Sequence, residues 1–176
     1  LLFTVYLSIY GIKTDNFNSL INSKLKEYNS RLTLKLEDVF IKLNIHQGSI
    51  SIHTKDANLI AENNIVKISN IDINLNAIRF IRKETSIKNI KVESAENSIK
   101  DLTSILNTIE YELSRYIFYS QIKKGLIKFK IDVELDSDLE KINSYLISGM
   151  VKDANLNIVG NSNIENINFN FNTKNK

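Results

Sequence analysis

Few residues in this chain could do chemistry. His46 and His53 are the only two histidines, and they flank a turn at Gln47-Gly48. A catalytic zinc needs at least three convergent protein ligands, and no HExxH or close His pair occurs. Glu37-Asp38 and the run Asp132, Glu134, Asp136, Asp138 place carboxylates near one another. The run lacks the central Gly and closing Glu of a calcium loop. It reads instead as the polar side of a strand running into a turn. Serines are common, but no GxSxG elbow presents one as a nucleophile. Tyr111, Tyr116, Phe118 and Tyr119 could stack on bases, yet at the end of a helical pattern they read as core packing. An enzyme is not expected.

Composition removes further classes. The chain has 176 residues, no Cys, no Pro, no Trp and 5 Gly. Without Cys there is no disulfide framework, thiolate nucleophile or Cys-ligated metal. Neither GxxxxGK[ST] nor GxGxxG is present, so no phosphate-cradling loop is expected. Lys and Arg number 23 against 20 Asp and Glu, a net charge of +3. The basic residues are scattered, with Arg82-Lys83 and Lys123-Lys124 the doublets, and form no stripe for nucleic acid. No cofactor, metal or nucleic-acid partner is expected. Two residue types fill the space, 28 Ile and 24 Asn. AT-rich codons explain part of that excess, so the positions of these residues are the more useful signal.

Those positions define the elements. Phe17, Leu20, Ile21, Leu25 and Tyr28 follow a capping Thr14 or Asp15, which predicts an amphipathic helix over about 15–28. From Arg31 the period becomes two. Leu32, Leu34 and Leu36 alternate with polar residues, and Val39, Ile41, Leu43 and Ile45 do so in the opposite parity. That shift predicts a bulge or tight turn at Glu37-Asp38. Turns are expected at His46-Gln47-Gly48, Asp56-Ala57-Asn58, Asn63-Asn64 and Asp136-Ser137-Asp138. Between them lie short apolar alternations through Ile50, Ile52, Val66, Ile68, Ile71, Ile73, Ile90 and Val92. Ala77–Arg82 is expected as a helical turn or a continuing strand. Ser98 and Asp101 begin a long helix over about 98–120, with Lys123 and Lys124 near its C-terminus and Gly125 as its cap. Strands resume at Ile127, Phe129, Ile131 and Val133 and run through Tyr145, Ile147, Leu156, Ile167, Phe169 and Phe171. The tail from Thr173 is expected to fray.

Roughly ten short strands with regular punctuation predict an antiparallel meander. The expected fold is α+β, mostly β: a curved antiparallel sheet, an open groove or partly closed, with two helices packed on it. Two helices cover only part of such a sheet's apolar face. The rest must fold into a sandwich, close as a barrel, or line a cavity. An aliphatic face left open suits alkyl chains, which need no hydrogen-bond partners. The first residues, Leu1, Leu2, Phe3, Val5, Tyr6, Leu7, Ile9 and Tyr10, carry no charge and precede Lys13. They read as the end of an N-terminal membrane anchor over 1–13, with the tyrosines at the interface.

The order of these features resembles a known group. An apolar start and a short helix precede Leu34-Lys35-Leu36-Glu37-Asp38-Val39-Phe40-Ile41-Lys42-Leu43. Then come Ser49-Ile50-Ser51-Ile52, Ala57-Asn58-Leu59-Ile60, Ile68-Ser69-Asn70-Ile71-Asp72-Ile73-Asn74-Leu75 and Ser86-Ile87-Lys88-Asn89-Ile90-Lys91-Val92. Over about residues 1–105 this resembles the N-terminal region of AsmA-like proteins. The resemblance implies a single anchor in the inner membrane of a Gram-negative cell. It also implies a periplasmic β-sheet with a hydrophobic groove, and a role in phospholipid transport and outer-membrane biogenesis. It supplies no catalytic residue. Members are usually several times longer, so 14–176 is expected to be the first part of a longer β-sheet domain. The expected groove lining is Leu34, Leu36, Ile41, Leu43, Ile50, Ile52, Ile71, Ile73, Phe129 and Ile131. The expected partners are phospholipid acyl chains, the inner membrane, and outer-membrane or periplasmic proteins. The rival expectation is an envelope assembly module that pairs its exposed edge with a client strand and carries no lipid.

Overall fold

The computed structural model describes residues 2–14, 16–82, 87–109, 122–136, 141–158 and 162–175. The elements are α1 (Leu2–Ile9), β1 (Ile12–Lys13), α2 (Asn16–Tyr28), β2 (Leu32–Asn44), β3 (Ser49–Ala61), β4 (Asn64–Asn76), α3 (Ala77–Ile81), β5 (Ile87–Ser94), β6 (Asn97–Ser98), α4 (Ile99–Thr108), β7 (Ile122–Leu135), β8 (Ile142–Ile158) and β9 (Ser162–Asn175). The strands form one antiparallel sheet in the order β1-β2-β3-β4-β5-β7-β8-β9, with β6 pairing β7 beside β5. The sheet is curved and does not close into a barrel. Fold class and meander topology are those the alternation predicts.

Strand length is where the expectation fails. β2, β3 and β4 each have 13 residues, β7 and β9 have 14, and β8 has 17. Polar residues that looked like turns are bulges inside continuous strands. Asp38, Asp56, Asp153 and Asn166 have φ of 49°, 53°, 50° and 60°, the left-handed region that Asp and Asn tolerate best among residues with a Cβ. The turn expected at Asp56-Ala57-Asn58 is therefore a kink within β3. β4 runs unbroken through Asn70. The predicted parity shift at Glu37-Asp38 is real: the β2–β3 register slips between Lys35 and Phe40. The Asn63-Asn64 signal is a two-residue turn, Glu62-Asn63, closed by the pair Ala61 and Asn64. The chain does not fray at Thr173, because Thr173, Lys174 and Asn175 pair with Ile147, Leu146 and Tyr145.

α2 matches its predicted span. α4 begins as predicted: the Ser98 side chain accepts a hydrogen bond from the Lys100 amide, and Asp101 lies in the first turn. The predicted end of that helix is overturned. Lys124 and Gly125 lie in β7, and the described helix stops at Thr108. Residues 110–121, with the expected helix positions Leu113 and Tyr116 and the aromatic group Tyr111 to Tyr119, lie outside the described residues. So do Ser137 and Asp138. Gly125 has a packing role instead of a capping one. Its φ is +135°, and a Cβ there would lie 3.0 Å from both Ala154 Cα and Ile99 Cδ1. Glycine thus lets α4 and β8 close on β7. The expected helical turn at Ala77–Arg82 is α3, capped by the Asn76 side chain, which accepts from the amides of Ile78 and Arg79.

Two apolar clusters form the core. The larger joins Leu32, Leu36, Val39, Ile52, Ala57, Val66 and Ile71 to Ile105 of α4, with Ile21 and Leu25 of α2 against it. The smaller joins Ile99 to Ile127, Val151 and Ala154. Both helices therefore sit on the same side of the sheet.

Candidate functional site

Register decides which side chains share a face, because directly paired residues of an antiparallel sheet project the same way. One row runs Ile41, Ile52, Ile73, Ile90, Val133, Tyr145 across six strands. A second runs Leu43, Ile50, Leu75, Ile87. A third runs Thr54, Ile71, Val92, Ile131, Ile147. Phe129, two residues before Ile131, joins this face. Leu34 and Leu36 reach it from even positions because the Asp38 bulge re-phases β2, and both belong to the same cluster. All ten residues predicted to line a groove thus stand on one face. Leu36, Ile52 and Ile71 are 7%, 9% and 9% exposed and belong to the core. The other seven are half-buried. Ile90, Val92, Val133, Tyr145 and Ile147 continue the face and were not among the predicted lining. Their alternation was visible, but their register with β2–β4 was not.

The helices cover one end of that face. Asn29 Nδ2 at the end of α2 donates to the Thr108 carbonyl at the end of α4, 2.6 Å. α4 starts against Gly125 and Ala154. Both helices thus lie over the end that carries Leu32, Ala61, Val66 and Val151. The opposite end carries the β2–β3, β4–β5 and β7–β8 connections, and there the Ala77 amide is tied to the Gly48 carbonyl at 2.9 Å. Towards this turn end, Ile41, Leu43, Ile50, Ile73, Ile87, Ile90, Val133 and Tyr145 are half-buried.

The two edges of the sheet differ. Along β2, Asn22 Nδ2 donates to Leu34 O (2.6 Å) and its Oδ1 accepts from Leu34 N (2.7 Å). Asn18 makes the same pair of bonds to Leu36, both 2.8 Å. One helical turn separates the two asparagines and two strand residues separate their partners, so the rises match to within about an ångström. Further along, Thr14 N donates to Val39 O and β1 pairs Ile12 and Lys13 with Ile41 and Phe40. This edge is sealed. At the other side, β9 pairs only with β8 among the described residues.

The opposite face is polar and cross-linked. His53 Nδ1 lies 2.5 Å from Asp72 Oδ1, and Asn70 donates to Asp72 Oδ2 at 2.7 Å. Lys91 and Asn89 both reach Asp132, at 3.0 and 2.5 Å. Lys130 pairs with Glu93, and Ser144 donates to Glu134. Asp132 and Glu134 of the predicted carboxylate run are therefore engaged in cross-strand pairs, and Asp138 lies outside the described residues. The pairs fix register more than they add stability. His46 lies exposed in the β2–β3 turn, away from the His53–Asp72 pair. Among the described residues no group of three His, Asp or Glu is placed to hold a metal. A hollow of about 570 Å³ opens over β7–β9, with Lys128, Met150 and Asn170 among its lining.

α1 spans 8 uncharged residues and ends at Gly11, which has φ +71°. A Cβ on Gly11 would stand 2.8 Å from the Ile41 carbonyl, so glycine brings α1 to the turn end of β2. Of the predicted anchor residues, Tyr6, Ile9 and Tyr10 are exposed and Leu7 is half-buried. The Tyr6 and Tyr10 rings stand 5.2 Å apart. Leu2, Phe3 and Val5 lie on the helix, and Leu1 lies outside the described residues. No described helix is long and apolar enough to cross a membrane. Compared with known proteins, the chain matches no family, no curated protein and no solved structure.

Proposed function

We propose that this chain is the lipid-handling sheet of a membrane-anchored periplasmic protein of the AsmA-like type, moving phospholipid between inner and outer membrane. Acyl chains lie along the apolar face while headgroups remain in water. The function is passive, with binding and guidance in place of catalysis. The observation that carries this reading is the aliphatic face that continues over six strands of an open sheet, with α2 and α4 packed over one end of it. Ile, Leu and Val suffice there because an alkyl chain offers no hydrogen bonds to satisfy. Mass spectrometry of the purified protein should recover phospholipid. A double substitution, Ile41→Asn with Ile90→Asn, should lower the recovered amount without abolishing the fold. A well-folded protein that carries no lipid and takes up no fluorescent phospholipid would refute the reading.

A second reading is favoured by one specific observation, the contrast between the two edges. β2 is sealed by asparagines and β1, whereas β9 offers 14 residues of backbone. Such an edge can accept a client strand. Crosslinkers at Ile167 or Phe169 separate the readings by the mass of the adduct, lipid or protein.

A further inference from the structure

β9 carries few of the devices that keep sheet edges apart, which are inward charges, Pro and bulges. From Asn166 to Thr173 it reads Asn-Ile-Asn-Phe-Asn-Phe-Asn-Thr, with no charge and no Pro. Its left-handed residue, Asn166, stands at the start of that run. Beyond it the β8–β9 register is unshifted from the pair Phe169–Val151 to the pair Asn175–Tyr145. Register also fixes the two faces. Phe169, Phe171 and Thr173 pair with Val151, Gly149 and Ile147 and stand on the apolar face. Asn168, Asn170 and Asn172 alternate onto the polar face. One acid and one base flank the run, Glu165 and Lys174.

We infer that β9 pairs antiparallel with β9 of a second copy of this chain, about a twofold axis at Asn170, and so joins two sheets into one. The inference rests on the strand-addition reading above and names the strand that is added. β9 is complementary in charge to its own antiparallel image, because Glu165 of each copy comes beside Lys174 of the other. A parallel pairing in register would instead set Glu165 beside Glu165 and Lys174 beside Lys174, and like charges across a pair are unfavourable. The side chains match as well. With Asn170 opposite itself, Phe169 faces Phe171 on the apolar face and Asn168 faces Asn172 on the polar face. Aromatic cross-strand pairs are among the favourable ones, and a slip of one residue would set Phe against Asn. The pair also closes. Each copy offers one such edge, because α2 and β1 cover the β2 side, so the twofold assembly is complete at two copies.

The chain has no Cys, so a single introduced thiol reports only on its own image. Directly opposed residues of an antiparallel pair have Cα atoms about 4.5–5.5 Å apart, within disulfide reach. Asn170→Cys should therefore give a covalent dimer under mild oxidation. Asn163→Cys, on the same strand but far from the axis, should not. Sedimentation of the unmodified chain should show monomer and dimer in exchange. Asn170 is exposed, so Asn170→Lys and Asn170→Glu should leave circular dichroism unchanged. Each opposes like charges at the axis and should weaken the dimer at least about fivefold, and mixing the two variants should restore it. Asn168 is left in place because its side chain accepts from the Asp153 amide. The inference is overturned by a folded chain that stays monomeric at high concentration, by equal crosslinking at Asn163→Cys, by a dimer indifferent to Asn170→Lys, or by growth beyond two copies. The two readings fail separately. A monomer whose β9 still takes up an added extended peptide removes self-pairing alone, and a monomer that takes up none removes strand addition as well.

Discussion

A carboxamide has the same donor and acceptor as a peptide group, and this chain uses that equivalence three times among its described residues. Asn18 and Asn22 each clamp both backbone groups of one β2 residue. Asn97 does the same to Lys67, accepting from its amide at 2.7 Å and donating to its carbonyl at 2.9 Å, where β5 has left β4. Each clamp supplies a hydrogen-bonded partner where the ladder has none. Asn22→Ala should cost about 1–3 kcal/mol, two net hydrogen bonds. Asn22→Asp should cost at least as much, because a carboxylate keeps the acceptor for Leu34 N but faces the Leu34 carbonyl with a second acceptor. Urea denaturation of the two variants decides this, and wild-type stability in Asn22→Asp would rule out the clamp. The abundance of Asn was visible in the sequence, but this use of it was not. The asparagines on alternate strand positions and in turns announce themselves by period. Asn18 and Asn22 sit on a helix 18 and 12 residues from their partners, and no local pattern links such positions.

Bulges do for the strands what the clamps do for the edge. Each left-handed residue shifts the parity of its strand, so that Leu32, Leu34 and Leu36 share a face with Val39, Ile41 and Leu43. The sequence showed this at Asp38 because apolar alternation is unbroken on both sides. It hid the same device at Asp56, where the flanking runs are short and a polar triplet looks like a turn. It also hid the role of Gly125, which followed a basic pair and so resembled a helix cap. The contacts that require glycine there come from Ala154 and Ile99, distant in sequence. Period conveys local structure, whereas the register of a long strand is a tertiary fact. Deleting Asp38 should therefore be far worse than replacing it. Without the extra residue, either the three leucines or Val39, Ile41 and Leu43 turn to the polar face. At about 1.5–3 kcal/mol per buried side chain, that loss rivals the whole stability of a domain, about 5–15 kcal/mol. Asp38→Gly, which keeps the residue count and favours the same φ, should stay within about 1 kcal/mol of wild type. Limited proteolysis of the two variants tests the comparison, and a protease-resistant deletion would show that β2 does not depend on its bulge.

At the scale of the molecule the sheet is asymmetric in three ways. One face is apolar and the other charged, α2 and α4 pack over one end of the apolar face, and one edge is sealed while β9 pairs on one side only among the described residues. The edges give the sharpest test, because an unpaired strand backbone is what proteins otherwise shield. Hydrogen exchange reads each amide separately. In β3 and β4, central in the sheet and paired on both sides, the amides should be the slowest. In β2 the Leu34 and Leu36 amides point away from β3 and would exchange freely at a bare edge. Bonded to Asn22 and Asn18, they should be protected, and Asn22→Ala should release Leu34 selectively. In β9 protection should alternate. Amides directed at β8 should exchange slowly and their outward neighbours quickly, even where Phe171 covers Gly149 so closely that a Cβ would collide with its ring. Uniform protection along β9 at low protein concentration would mean that its outer backbone is already occupied, and the strand-addition reading would lose its open edge. Protection of the outward amides that appears only on adding an extended peptide would instead identify β9 as the edge where a client strand pairs.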